Sequence, residues 1–312
     1  MKKIVNLSGG LGNQLFQIAG AISVFKNADF TTEWSIGITN VNASGNPEVF
    51  DYSFPNSIRM LPKKQPTRLQ RKLAHLILRR SSSRRIFPGK FTMRIITSLL
   101  SLNLTSYLKS FVKILYPANL DANLVISNAH RSEYLIGFFH SDLWISSVAN
   151  ELLLDEIKPK STEPYVVELQ KLSQIKNPVI VHMRLGDYEK EESFGILPSR
   201  YYEKALDTLV ELGFFGEIWI FTNDLDKAKQ IFPKKYEYRA KWIPNFSDSS
   251  VQVLEAMRLG SAYVIGNSTF SWWAAKLAKN KAAKVIAPNP WFKSAPTHKD
   301  LLPQNWITID PW

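Results

Sequence analysis

The sequence predicts an α/β protein of two doubly wound, Rossmann-like halves that meet near residue 160. Three observations predict it. The chain has 312 residues, more than one hydrophobic core commonly serves. It opens KKIVNL, GGLGNQ, LFQIAGAISVFK, a buried-type strand, a glycine turn and a helical repeat of apolar residues, which starts a doubly wound domain. Its second half alternates strand and helix through short connections, the pattern of a parallel sheet.

Taken in order, residues 35–58 carry scattered Asn, Ser, Gly and Pro and read as loop. Residues 59–113 read as a basic helical segment, in which Leu69, Leu73, Leu76 and Ile77 recur at helical spacing between Arg68, Arg71, Lys72 and Arg79. LVISNAHRSEYLIGFFHSDLWI holds one or two strands and an aromatic cluster. VIVHMR is a strand entered through Pro178, and Ser199 is expected to cap a helix that presents Tyr202, Ala205, Leu206, Leu209 and Val210 on one face. EIWIFTND, AYVIGN and AKVIAPN read as strands. Helices run through DLDKAKQIF, through VQVLEAMRLG behind Asp248 or Ser249, and through STFSWWAAKLAKN. The domains expected are 1–160 and 161–312.

Charge and composition exclude several classes. The net charge is +12, but 14 of the 39 basic residues lie in 59–113 and no acidic residue falls between Asp51 and Asp121. Outside that segment the chain is close to neutral, and no nucleic-acid motif accompanies the charge, so nucleic acid is not expected as a partner. A basic amphipathic helix suits an anionic membrane surface, and equally suits a core helix with a solvated face. Without any cysteine there is no disulfide, thiolate zinc site or cysteine nucleophile. MKKIVNLSGG lacks the ~7–15 apolar residues of a signal peptide, and no run reaches the ~18 of a membrane span. The expectation is a cytoplasmic protein, held peripherally at a membrane if residues 59–113 bind one.

Ligands of an open parallel sheet bind at the C-terminal strand ends, and four polar clusters fall there. GGLGNQ carries G-x-G, but Leu15 stands where a dinucleotide fingerprint needs its third glycine, which argues against an NAD-dependent oxidoreductase. Gly10 lets a ligand approach the backbone, and Asn13 and Gln14 offer polar groups. GNST, with Asn267, Ser268 and Thr269, leads into a helix whose N–H groups and dipole favour an anion, unless Ser268 or Thr269 is simply a cap. Arg184, from HMRLGD, is a second positive pole, and the two make sense together around a diphosphate. His182 reads as a base, an orienting donor or a core residue; Asp187 as partner of Arg184, turn cap or base. Asn223 and Asp224 close FTND. Asp224 and Asp226 spell D-x-D, but helix capping explains them better than a metal does, and no metal is expected. Glu255 lies one turn before a helix end, and facing a cleft it would match the N1–H and N2–H donors of guanine.

GGLGNQLFQ, GFFHSDLWI, VIVHMRLGDY, IFTND and GNSTFSWWAA followed by KVIAPNPWF resemble, in order and spacing, the α-1,2-fucosyltransferases of glycosyltransferase family 11. The resemblance runs from residue 4 to about 293, apart from the basic segment. It implies a GT-B fold with a cleft between two Rossmann-like domains, an N-terminal acceptor side and a C-terminal GDP-sugar side. It implies GDP-fucose as donor, the 2-hydroxyl of a galactose-containing oligosaccharide or lipid-linked acceptor, inversion, and neither metal nor cofactor. Bacterial surface-polysaccharide (O-antigen) synthesis is the expected setting. By that resemblance Arg184 contacts the diphosphate, Ser268, Thr269 and the N–H of Phe270 hold phosphate, Glu255 serves guanine, and Asn13 faces the reacting centre. Two departures stand out. Leu185 replaces a second arginine, and His140 follows Phe139 where a glutamine is expected. GDP-colitose, whose sugar is a fucose lacking one hydroxyl, is the alternative donor.

Overall fold

The computed structural model describes residues 2–25, 30–34, 41–54, 60–61, 110–116, 123–128, 132–145, 157–190, 192–294, 297 and 300–312. The chain divides into two compact units, Met1–Lys158 and Pro159–Trp312. Each is an α/β unit around a six-stranded sheet, and the two-unit organisation is that of the GT-B class. The basic tract lies outside the described residues except at its ends. Among the described residues no helix is long and apolar enough to cross a membrane.

The strands of the first unit's six-stranded sheet are β1 (Lys2–Leu7), β2 (Phe30–Trp34), β3 (Met60–Leu61), β4 (Ser110–Tyr116), β5 (Asn123–Asn128) and β6 (Ser132–Ile136). Their order is β3-β2-β1-β6-β5-β4. β1 runs parallel to both β2 and β6, and β2 parallel to β3. β5 runs antiparallel to β4 and β6. Half of this sheet is therefore a meander rather than a doubly wound array. The links between β4, β5 and β6, residues 117–122 and 129–131, are too short for a parallel crossover, which needs roughly a dozen residues. β4 also corrects one expectation: residues 110–113 are strand, not the end of a basic helix. The β-branched and aromatic run FVKILY favours the pleated form.

Helix α1 (Leu11–Phe25) starts within the stretch expected to be turn. Gly9, at φ +72°, makes the reversal by itself, and the Gln14 N–H already bonds the Gly10 carbonyl at 3.1 Å. Asn13 and Gln14 therefore belong to the first helical turn. Asn13, Gln17 and Gly20, spaced by four and three residues, share one face of α1. Gln17 is fully buried; it accepts from Ser8 N at 2.9 Å and donates to Ser8 Oγ at 2.9 Å and to the Gly137 carbonyl at 3.1 Å, tying the ends of β1 and β6 together. Gly20 receives the ring of buried Phe139, whose own φ is +58°. A Cβ at Gly20 would sit 2.7 Å from that ring.

The second unit is regular. Its helices are α2 (Pro164–Lys176), α3 (Ser199–Glu211), α4 (Leu225–Ile231), α5 (Ser250–Met257) and α6 (Thr269–Lys276). Its strands are β7 (Val179–Met183), β8 (Ile218–Thr222), β9 (Ala240–Trp242), β10 (Ala262–Val264), β11 (Lys284–Pro288) and β12 (Ile307–Ile309). Every pairing is parallel, in the order β9-β8-β7-β10-β11-β12. The chain winds outward from β7 to β9, returns to β10 beside β7, and winds outward again. The reversal between β7 and β10 is the topological switch point where such sheets bind ligands. All five residues of β7 are buried.

Trp272 and Trp273 on α6 are both fully buried, edge to face at 5.0 Å. Trp272 donates its indole N–H to the Leu301 carbonyl at 2.9 Å and lies 5.4 Å from the Trp306 ring. Burying two such rings, at ~1.5–3 kcal/mol for a large side chain, fixes α6 and hence the loop in front of it. Pro198, not Ser199, stands at the N-cap of α3, and Ser199 is its first helical residue.

The contact between Gly20 and Phe139 gives a test of the first unit. Gly20→Ala should lower the denaturant midpoint, because overpacking by about 1–3 kcal/mol outweighs the ~1 kcal/mol of helix propensity that alanine adds. A raised midpoint would show that Phe139 does not occupy this notch.

Candidate active site

In the second unit the site is built where β7 and β10 end. The loop after β7 carries Arg184, Asp187 and Tyr188; the loop after β10 carries Gly266, Asn267 and Ser268 and runs into α6. Gly266 permits the two loops to touch, since a Cβ there would lie 3.0 Å from the His182 carbonyl. The Arg184 side chain, about one-third exposed, donates from Nη2 to Asp187 Oδ2 at 2.8 Å. Its Cζ lies 5.7 Å from the centre of the Tyr188 ring. The Tyr188 hydroxyl donates to the Asn267 carbonyl at 3.1 Å, so one tyrosine spans from the guanidinium to the turn before α6. Burial raises that phenol to about 12, which keeps it a neutral donor.

Asn223 braces the Arg184 loop from β8. Its Oδ1 accepts from Leu185 N at 2.8 Å, and its Nδ2 donates to the Leu185 carbonyl at 3.4 Å and to Asp187 Oδ1 at 3.3 Å. Gly186 lies under it at φ +53°, with only 3.0 Å between an added Cβ and Asn223 Nδ2. Asn223 is thus committed to the protein. Asp224 is the N-cap of α4, accepting from Lys227 N at 3.1 Å, and Asp226 sits in the first turn behind it. The D-x-D pair is accounted for by this capping.

Ser268 caps α6, its Oγ accepting from Phe270 N at 3.3 Å. Ser271 Oγ donates to the Gly266 and Ser268 carbonyls, both at 3.0 Å, and stiffens the turn. Thr269 and Phe270, half-buried, form the first turn of the helix. Asn267 donates to the Phe194 and Gly195 carbonyls at 3.0 and 3.1 Å, while its Oδ1 is buried with no partner among the described residues. His182 Nδ1 is in the same state, 3.6 Å from where a Gly266 Cβ would lie. Burial first, and then the Arg184 charge, push His182 from 6.5 down to about 3, so its ring is neutral. The result is a guanidinium, held by Asp187, and a fixed helix N-terminus on one strand-end edge. That arrangement suits an anion.

Glu255 lies on α5, which packs against α6. It is buried, and its Oε1 is 2.5 Å from Arg258 Nη1, itself buried and donating from Nε to the Leu277 carbonyl at 2.7 Å. A guanine base would have to share that carboxylate with Arg258 or displace it.

The first unit has a corresponding strand-end constellation at β1 and β6. Asn13 Oδ1 lies 3.0 Å from His140 Nε2. The Asn13 amide covers the face of Gly9 that a side chain would fill, in contact closer than any Cβ tolerates. Gln14 donates to the Gly9 carbonyl at 3.0 Å and accepts from Val49 N at 3.0 Å. Gly10 contributes its carbonyl to Gln14 N. The His140 ring stacks on Phe138 at 5.1 Å and meets Phe16 edge-on at 5.3 Å. Desolvation lowers His140 to about 3. Tyr188, Gln17 and His140 were not among the expected site residues. Tyr188 ends the HMRLGDY tract and Gln17 repeats the Asn13 position one turn on, so both carried a signal; the meeting of His140 with Asn13 depends on β1 pairing β6, which no local pattern announces.

The model of the family described as "Glycosyl transferase family 11" matches residues 4–310. An α-1,2-colitosyltransferase of Escherichia coli is 26% identical over 320 residues, covering 98% of this chain and 98% of that protein. The O-antigen biosynthesis glycosyltransferase WbnK of Escherichia coli is 28% identical over 142 residues, 44% of each chain. Among solved structures, the fucosyltransferase NodZ from Bradyrhizobium aligns with 15% identity and a TM-score of 0.46, over 87% of this chain and 91% of that one. The ADP-heptose lipopolysaccharide heptosyltransferase II of E. coli aligns with 13% identity and a TM-score of 0.45, over 99% and 90%. With a family model that spans almost its whole length, the chain belongs to glycosyl transferase family 11.

Proposed function

We propose that this glycosyltransferase moves L-fucose from GDP-fucose to the 2-hydroxyl of a galactoside, with inversion at the sugar carbon and without a metal ion. The observation that carries the proposal is the pairing of Arg184 with the N-terminus of α6, joined through Tyr188 and the Asn267 carbonyl at 3.1 Å. The acceptor hydroxyl forms its bond to C1 as the bond from C1 to the phosphate oxygen breaks; that electron pair leaves on GDP, and the hydroxyl proton passes late to the departing phosphate. Charge therefore grows on the β-phosphate, and fixed positive groups aimed there lower the barrier. Arg184, Ser268 and Thr269 form this donor-phosphate cradle, and the Phe270 N–H joins it by exchanging its long 3.3 Å bond to the Ser268 cap for phosphate oxygen. Asp187 and Asn223 hold the guanidinium loop in place, so the cradle need not reorganise as the bond breaks.

The first unit, with Asn13 at its strand ends, we assign to the acceptor. An oligosaccharide or lipid-linked galactoside of a bacterial surface polysaccharide is the substrate class, in keeping with the O-antigen enzyme among the relatives. A second donor has a specific observation in its favour: the relative that matches 98% of the chain is a colitosyltransferase. GDP-colitose presents the same diphosphate and lacks one sugar hydroxyl, so the cradle takes it equally well.

Arg184→Ala should keep the fold and reduce kcat by roughly two to three decades, as loss of one oxyanion donor does; wild-type turnover would remove Arg184 from the mechanism. A panel of galactosides assayed with GDP-fucose and GDP-colitose should give transfer from at least one donor, and failure of every pairing would contradict the donor class. The lowered His182 gives a pH test. Its folded form resists protonation more than the unfolded chain does, so its contribution to stability is complete above 6.5 and is lost as pH falls toward about 3. The melting temperature of His182→Gln should therefore fall less steeply than that of wild type on acidification below pH 6.5. Parallel slopes would mean that the ring is not desolvated.

A further inference from the structure

The face of α1 that carries Asn13, Gln17 and Gly20 serves one loop, residues 137–140 after β6. Gln17 holds the Gly137 carbonyl at 3.1 Å, and Gly20 leaves the notch for Phe139, whose ring also meets Trp144 edge-on at 5.4 Å. The backbone at Phe139 is left-handed, at φ +58°, a conformation that a bulky residue holds only where its surroundings enforce it. This strained loop delivers the next residue, His140, to Asn13 at 3.0 Å. The ring is held in an aromatic slot between Phe138 and Phe16.

From this geometry we infer that His140 is a positioning residue for Asn13, setting the direction in which the Asn13 amide offers its N–H donors to the hydroxyl groups of a neutral sugar. An amide oxygen only accepts, so the shared proton sits on His140 Nε2. The bond fixes Oδ1 toward the ring and turns Nδ2 to the opposite side, over Gly9, where the missing side chain leaves room. Without it an asparagine amide can flip by half a turn and present its oxygen instead. The inference rests on the assignment of the first unit to the acceptor.

The test compares two substitutions in steady-state kinetics with varied galactoside and saturating donor. His140→Gln retains an N–H donor of similar reach; His140→Phe retains the ring and its stacking but loses the donor. The expected result is a roughly ten-fold loss of kcat/KM for the acceptor in His140→Phe, with donor KM unchanged. His140→Gln should recover most of that loss, and adding His140→Phe to Asn13→Ala should cost nothing more. An unaffected acceptor kcat/KM in His140→Phe overturns the inference. So does an equal loss in both variants, which would mean that the imidazole matters only as packing. Nitrogen-15 shifts of the imidazole read the pair without any acceptor: protonation at Nε2 in the wild type, altered in Asn13→Ala, is expected, and protonation at Nδ1 overturns it. If no galactoside accepts sugar while the Nε2 signature holds, it is the acceptor assignment that has failed, not the pairing.

Discussion

The second unit depends on one close approach, between the backbone after β7 and the backbone after β10. Gly266 allows it, because a side chain there would meet the His182 carbonyl. Tyr188 then crosses the junction, with its ring against Arg184 and its hydroxyl on the Asn267 carbonyl. A guanidinium and a helix N-terminus repel one another weakly, and bringing them together without an anion costs free energy. The protein offsets that cost with Asp187, with the Asn223 brace, and with two buried indoles that prevent α6 from retreating. The paired tryptophans behind so polar a turn are thus explained by mechanics: they anchor the helix that starts at that turn.

The first unit solves the same topological problem with neutral groups. Its strand-end residues are Asn13, Gln14, Gln17 and His140, with Gly9 supplying the reversal. The glycine and amide tract near the N-terminus is tied into the fold by its own hydrogen bonds. Its amides are used to fasten neighbouring loops, and Gly20 to receive Phe139. One unit gathers a guanidinium and a helix N-terminus at its strand ends, the other amide and imidazole groups.

Much of this was legible in the sequence where local pattern and tertiary demand agree. β7, β8, β10, β11 and the helices α3 to α6 follow apolar periods long enough to read, and the polar clusters fall at their C-terminal ends. α2 escaped notice because only Val166, Leu169 and Ser173 of its thirteen residues are buried, and β9 and β12 because, unlike the wholly buried β10, they are half-exposed edge-side segments in which only Ile309 is buried. The meander of β4 to β6 depends on loop lengths rather than on strand composition. The bracing by Asn223 was hidden for a different reason: an asparagine's position in a strand-end motif does not say which neighbouring loop it fastens. Glu255 likewise reads as a lone carboxylate until Arg258, three residues on, is seen to pair with it in the buried interior.

The account stands on the claim that the β-phosphate of the donor lies between Arg184 and the first turn of α6. Titration calorimetry with GDP and with GMP tests it directly, since the two ligands share the base, the ribose and the α-phosphate. GDP should bind at least ten-fold more tightly, about 1.4 kcal/mol, for the charge it adds at that point. Equal affinities would contradict the claim.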